Sequence, residues 1–146
     1  MMSDLIDRTV IGAVEYRISG DEDNVITARY VSSGSMGQKA GAVCRGRAVG
    51  DTSGGFAGDY VIRYFGVDHS VVGDFDWHIE AVGDAYRLTW RNRPENALIP
   101  AAAGDVVFEG FGFHNSDRSI VVAYWMLDKV ASALFAGAGV AELPEP

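Results

Sequence analysis

A chain of 146 residues, 48% hydrophobic and 22% charged, has the make-up of one soluble domain, long enough to bury roughly two-thirds of its unfolded surface without a covalent staple. A formal charge of -8, twelve Lys and Arg against twenty Asp and Glu, excludes a nucleic-acid partner and an anionic membrane, because both need clustered cations. The single Cys44 rules out an internal disulfide, and no His or Cys spacing suits zinc, so neither metal nor cofactor is expected.

Residues 1–8 read as a helical turn or loose chain. MMSDLIDRTV lacks the basic start and long apolar core of a signal peptide, and no apolar run reaches membrane length, so a cytoplasmic protein is expected. In residues 9–18, Val10, Gly12, Val14, Tyr16 and Ile18 alternate with positions that include Thr9, Glu15 and Arg17, a strand period of two. SGDEDN is a polar turn, and strand two, 25–31, sets Ile26, Ala28 and Tyr30 against Thr27 and Arg29. A small, polar loop over 32–41 leads to strand three, 42–49, whose inward row is Ala42, Cys44, Gly46 and Ala48 if its two arginines face water. The glycine-rich loop 50–59 follows, then strand four, 60–65, with Tyr60, Ile62 and Tyr64 on one face.

The stretch GDFDWHIEAVGDAYRLTWRNR predicts a hairpin, strands 74–81 and 85–91, around a two-residue turn at Gly83-Asp84. That turn sets Val82 opposite Ala85, Glu80 opposite Arg87, Ile79 opposite Leu88, Trp77 opposite Trp90 and Asp76 opposite Arg91. Phe75, Trp77, Ile79, Tyr86, Leu88 and Trp90 then share one face. Three acid-base pairs, Asp74 with Arg93, Asp76 with Arg91 and Glu80 with Arg87, share the other. Strands seven, 106–113, and eight, 119–125, follow a long connector and read apolar on both faces, as strands covered on two sides do. The expected cover is a helix over 126–136, where Leu127, Val130, Ala131 and Leu134 recur at helical spacing before Gly137 and Gly139. Gly110 and Gly112 suggest a bulge or a close approach of that helix, and the AELPEP tail is expected to fray.

Eight consecutive strands with almost no helix between them predict a single all-β domain, an eight-stranded antiparallel up-and-down barrel with a short C-terminal helix packed outside. Alternate connectors share an end, so loops 32–41, 66–73 and 92–105 form one rim and Gly83-Asp84 lies at the other. Over residues 9–135 this pattern resembles the calycin-like superfamily, the lipocalin, fatty-acid-binding and avidin-type barrels and small bacterial proteins of that shape. Strand one has no tryptophan, so the lipocalin Gly-x-Trp signature is absent, and avidin-type motifs are not evident. The resemblance implies a small-molecule pocket inside the barrel. It carries over no residue and names no ligand.

The inward faces divide into a small wall, Ala28, Ala42, Cys44, Gly46 and Ala48, and a large one, Tyr60, Tyr64, Phe75, Trp77, Tyr86 and Trp90. Either the large residues fill the space and the barrel is solid, or a cavity on the order of a few hundred cubic ångströms remains for a flat or apolar ligand. The expected function is to bind a small, mainly apolar or aromatic molecule through Tyr30, Cys44, Tyr64, Phe75, Trp77 and Trp90, with Tyr30, Tyr64, Phe75 and Trp90 nearest the mouth. A second expectation is a barrel isomerase or cyclase using Glu109 and Tyr124 for proton transfer, which requires Glu109 inside although an acid is more at home in water. A third is an interaction module or homodimer joined through the outer apolar faces of strands seven and eight. His69, His78 and His114 have no ligand spacing, no loop ends in the Gly-Lys-Ser/Thr of a phosphate loop, and no hydrolase triad is recognisable.

Overall fold

In the computed structural model, which describes residues 10–33, 41–94 and 99–139 (the last five by backbone alone), every strand pairs with its neighbours in sequence. The strands are β1 (Ile11–Ile18), β2 (Val25–Ser32), β3 (Cys44–Gly50), β4 (Gly58–Phe65), β5 (Val71–Val82), β6 (Ala85–Asn92), β7 (Val106–Ser116) and β8 (Ser119–Met126). All ladders are antiparallel, and β1 also pairs with β8, so the sheet closes into a barrel with no free edge. One helix, α1 (Asp128–Gly139), follows. The expectations for residues 1–8 and for the AELPEP tail fall outside the described residues, as do 34–40 and 95–98 of the two longest connectors.

Period-two alternation decides which side of each strand faces in. Val14 and Tyr16 of β1, Ile26, Ala28 and Tyr30 of β2, and Tyr60 and Ile62 of β4 are buried, while Arg17, Arg29 and Arg63 on the alternate positions are exposed. The β5–β6 hairpin has the register set by its turn: Trp77 opposes Trp90, Ile79 opposes Leu88 and Glu80 opposes Arg87. Gly83 occupies the left-handed region at φ 59°, where a side chain would be strained. Its two indoles are inside, Trp77 at 1% and Trp90 at 2% exposure.

The charged face of that hairpin differs in one pairing. Asp76 stands opposite Arg91, yet its ion pair is with Arg93, whose Nη1 lies 2.8 Å from Asp76 Oδ1 and whose Nε lies 3.2 Å from Asp74 Oδ1. Arg91 instead donates to the carbonyl of Gly104 across the β6–β7 connector. Strand register fixes Cα neighbours, but the Arg93 guanidinium on its long stem holds the buried Asp74 and also reaches diagonally to the more exposed Asp76. Strand β5 also starts earlier than expected, at Val71. The β4–β5 connector thereby shrinks to a tight turn closed by Gly66 N–H to the Ser70 carbonyl, with His69 at φ 67°.

The ends of the barrel carry different connectors. The described parts of the β2–β3, β4–β5 and β6–β7 connectors and the start of α1 belong to what we call the wide rim, and Gly83-Asp84, residues 51–57 and the β7–β8 turn to the narrow rim. Helix α1 packs outside, burying Val130 and Ala131 in a cluster with Ile99, Val107 and Met126. It covers less than the two-faced apolar pattern of β7 and β8 implied. Outward Val107 is sealed, but Phe111 (44%) and Phe113 (61%) are exposed, as is Trp125. Gly110 and Gly112 meet neither bulge nor helix. They face inward, and a Cβ on Gly110 would lie 3.2 Å from the ring of Trp90.

Candidate binding recess at the wide rim

The small and large walls interlock through cross-strand pairs. Gly12 stands opposite Tyr124, Gly46 opposite Tyr64, Gly50 opposite Tyr60 and Gly112 opposite Tyr86. A Cβ on Gly46 would come within 2.9 Å of Tyr64 Cδ1, and one on Gly12 would collide with Tyr124 and with the Val31 carbonyl. In the first three pairs the ring thus occupies volume that its glycine vacates, while a Cβ on Gly112 would meet Val121 and Val122. In the middle of the barrel the Trp77 ring packs in tilted contacts at 4.6 Å from Tyr16, 5.4 Å from Tyr60 and 6.1 Å from Trp90, so this level is solid side chain.

The narrow end is solid as well. Phe56, in the glycine-rich 51–57 segment, folds inward to 1% exposure against Tyr86 and His114. Tyr60 Oη donates to the carbonyl oxygen of Phe56 at 2.9 Å, tying the segment down. Tyr86 Oη and His114 Nε2 form a further hydrogen bond, 3.0 Å, beside it.

At the wide rim the packing stops short. A recess of about 50 Å³ remains, lined by Val10, Tyr30, Ser32, Tyr64, Val72, Gly73, Phe75, Trp90, Phe108 and Tyr124. That is well below the ~150 Å³ of an apolar cavity able to take up benzene, so it receives part of a molecule rather than a whole ring. The chamber of a few hundred cubic ångströms is replaced by this smaller space because the large wall fills most of the interior.

Three of the tyrosines around the recess are fixed by hydrogen bonds at their tips. Tyr30 Oη donates to the Phe65 carbonyl (3.0 Å) and Tyr124 Oη to the Val31 carbonyl (2.9 Å). Tyr64 Oη accepts from Trp90 Nε1 at 2.7 Å and lies 2.7 Å from Tyr16 Oη. Burial pushes the hydroxyls of Tyr16, Tyr64 and Tyr124 above the usual phenol range. For Tyr64, the hydrogen bonds with Tyr16 and Trp90 work against that rise.

Of the six residues expected to bind a ligand, Tyr30, Tyr64, Phe75 and Trp90 line the recess together. Cys44 is buried opposite Tyr30 without reaching it, and Trp77 lies one layer deeper, against Trp90. Tyr124 lines the recess, but Glu109 is exposed on the outer surface, opposite Trp125 and Thr89. The two residues expected to share proton transfer are therefore on opposite sides of the sheet. Phe108 and Val10 were missed, although each continues the inward alternation of its strand.

Among the described residues no three His, Cys, Asp or Glu side chains gather as a metal site, and no helix is long and apolar enough to cross a membrane. No family model matches the chain, and no curated protein or solved structure shows significant similarity to it.

Proposed function

We propose that this barrel is a calycin-like binder of a small, mainly apolar molecule, held at the wide rim with one end in the recess. The observation that carries this reading is the aromatic-lined gap at the wide end of the interior, with three phenols in its wall. Small-molecule sites take this form, mostly apolar surface around a few placed polar groups. The volume favours the tip of a slim molecule. None of the described residues lining the recess is a carboxylate or an imidazole, which supports binding over proton-transfer catalysis. A cytoplasmic setting, the one expected from the sequence, goes with this reading.

Native mass spectrometry of protein purified from its own source tests it, with tryptophan fluorescence as the companion measurement. Trp90 lines the recess and Trp77 touches Trp90, so occupancy should change indole emission saturably. A bare mass, together with emission that no apolar compound alters, would refute the proposal.

A second reading, self-association, is favoured by the outer face of β7, β8 and β1. Phe111 and Phe113 form an exposed ridge beside the low shelf of Ala13 and Ala123, and Phe111 and Ala13 each stand opposite Ala123. Under a two-fold axis each ridge would seat on the other copy's shelf. The margin carries both signs, Glu15 and Glu109 with Arg29 and Arg87, so two copies of an acidic chain meet there without like-charge repulsion. Light scattering should give a dimer mass that Phe113→Lys halves, and a wild-type monomer at high concentration would dismiss it.

A further inference from the structure

Three hydrogen-bond donors meet at the Tyr64 oxygen, and they bring more protons than the group can place. The donors are the Trp90 indole N–H, the Tyr16 hydroxyl and the Tyr64 hydroxyl itself, with both contact distances 2.7 Å. The only acceptors within the trio are the two phenol oxygens. Trp90 donates to Tyr64, and one proton lies between the phenols. One hydroxyl proton is left over.

Its location follows from burial. If Tyr64 donated to Tyr16, the surplus proton would sit on Tyr16, which has no exposed surface and whose ring is packed against Trp77. A donor stranded there pays the full desolvation cost. If Tyr16 donates to Tyr64, the surplus proton is on Tyr64, the one phenol of the two that lines the recess. Both lone pairs of the Tyr64 oxygen are then occupied by N–H and O–H donors, which polarises its own O–H as a donor. The other two phenols of the recess offer no competing proton, since Tyr30 and Tyr124 each donate to a backbone carbonyl.

We infer that the ligand is a neutral carbonyl compound, an aldehyde or ketone on a slim apolar body, whose oxygen accepts the Tyr64 hydroxyl proton. This rests on the binding reading above and deepens it. A carbonyl oxygen supplies the missing acceptor. A carboxylate would supply it too, but among the described residues no Lys or Arg lines the recess to compensate its charge, and the chain already carries -8. The size agrees: 50 Å³ holds about three non-hydrogen atoms at the ~15 Å³ each of a water-sized probe, which is a methyl ketone head with its chain left outside.

The test uses the full chain and two matched probes, 2-octanone and its hydrocarbon isostere 2-methyl-1-octene, titrated by tryptophan fluorescence, with the infrared carbonyl band of the bound ketone as a direct readout. The ketone should bind about 10-fold more tightly than the alkene, the worth of one good hydrogen bond, and its carbonyl band should move to lower wavenumber. Tyr64→Phe should bring the two probes to equal affinity. Because that change also strands Trp90 and Tyr16, Tyr16→Phe serves as the second variant: it keeps the Tyr64 hydroxyl and should keep a preference for the ketone. Equal binding of both probes to the wild type would overturn the carbonyl assignment and leave the binding reading standing. Loss of the preference in Tyr16→Phe would overturn the assignment of the donor to Tyr64. Binding of neither probe, with no native ligand found by mass spectrometry, would overturn both readings.

Discussion

Tyr60 and Tyr64 sit on the same face of the same strand, four residues apart, and their hydroxyls meet opposite fates. Tyr60 points to the narrow end, where the 51–57 segment folds over it and offers backbone carbonyls, Phe56 at 2.9 Å and Gly55 at 3.2 Å. Tyr64 points to the wide end, where its partners are the Trp90 N–H and the Tyr16 hydroxyl and no carbonyl. One phenol is consumed by closing the barrel, and the other is kept in a gap. The lesson is that sealing an end depends on which loop reaches it with its carbonyls, since the strands supply the same kind of residue to both.

The comparison breaks most severely at Phe56. Phe56→Ala removes the ring that plugs the narrow end and should cost about 3–5 kcal/mol in urea denaturation, while leaving affinity at the wide rim within a few-fold. Next in size is Gly12→Ala, whose added methyl meets the Val31 carbonyl and the Tyr124 ring at the wide end. It should cost about 1–3 kcal/mol and weaken probe binding at the same time by displacing Tyr124.

A pH series with Tyr60→Phe isolates the narrow end's share more gently. Burial, with the Asp51 charge second, pushes the Tyr60 pKa from 10 up to about 12, so folding favours the protonated phenol. Its stabilisation is complete below pH 10 and is lost as pH rises from 10 to about 12; Tyr16, Tyr64 and Tyr124 add in the same direction. Tm should stay level through neutral pH and fall above pH 10, and Tyr60→Phe should make that fall shallower. A Tm that climbs in this range would contradict the burial assigned to these phenols. The smallest effect belongs to the outer face: Asp76→Ala, which removes an exposed partner of Arg93, should change stability by less than about 1 kcal/mol.

The sequence disclosed the strands and their inward rows because each is a local pattern. A two-residue turn at Gly83-Asp84 leaves one register for the hairpin, and the opposition of Trp77 and Trp90 follows from counting. Contacts across the barrel interior are of another kind. Tyr16, Tyr64 and Trp90 belong to β1, β4 and β6, and they meet only once closure brings those strands around a common axis. Phe56 gave a faint signal, a single aromatic in a segment of glycine, serine and aspartate, with no periodicity to mark it as core. For β7 and β8 the pattern misled, because an apolar outer row reads the same whether a helix covers it or it stays exposed, as Phe111 and Phe113 do. Glu109 shows the converse: alternation with buried Phe108 and Gly110 was enough to turn it outward.

The pairing of tyrosines with glycines across adjacent strands makes substitution at these sites a joint event. A larger residue at position 46 or 12 is tolerated only if the ring at 64 or 124 shrinks, so such positions should drift in couples, with total volume as the conserved quantity. The same coupling gives an engineer a means of relocating empty space: trimming one ring while filling a different glycine would carry the vacancy to another level of the barrel without thinning its wall.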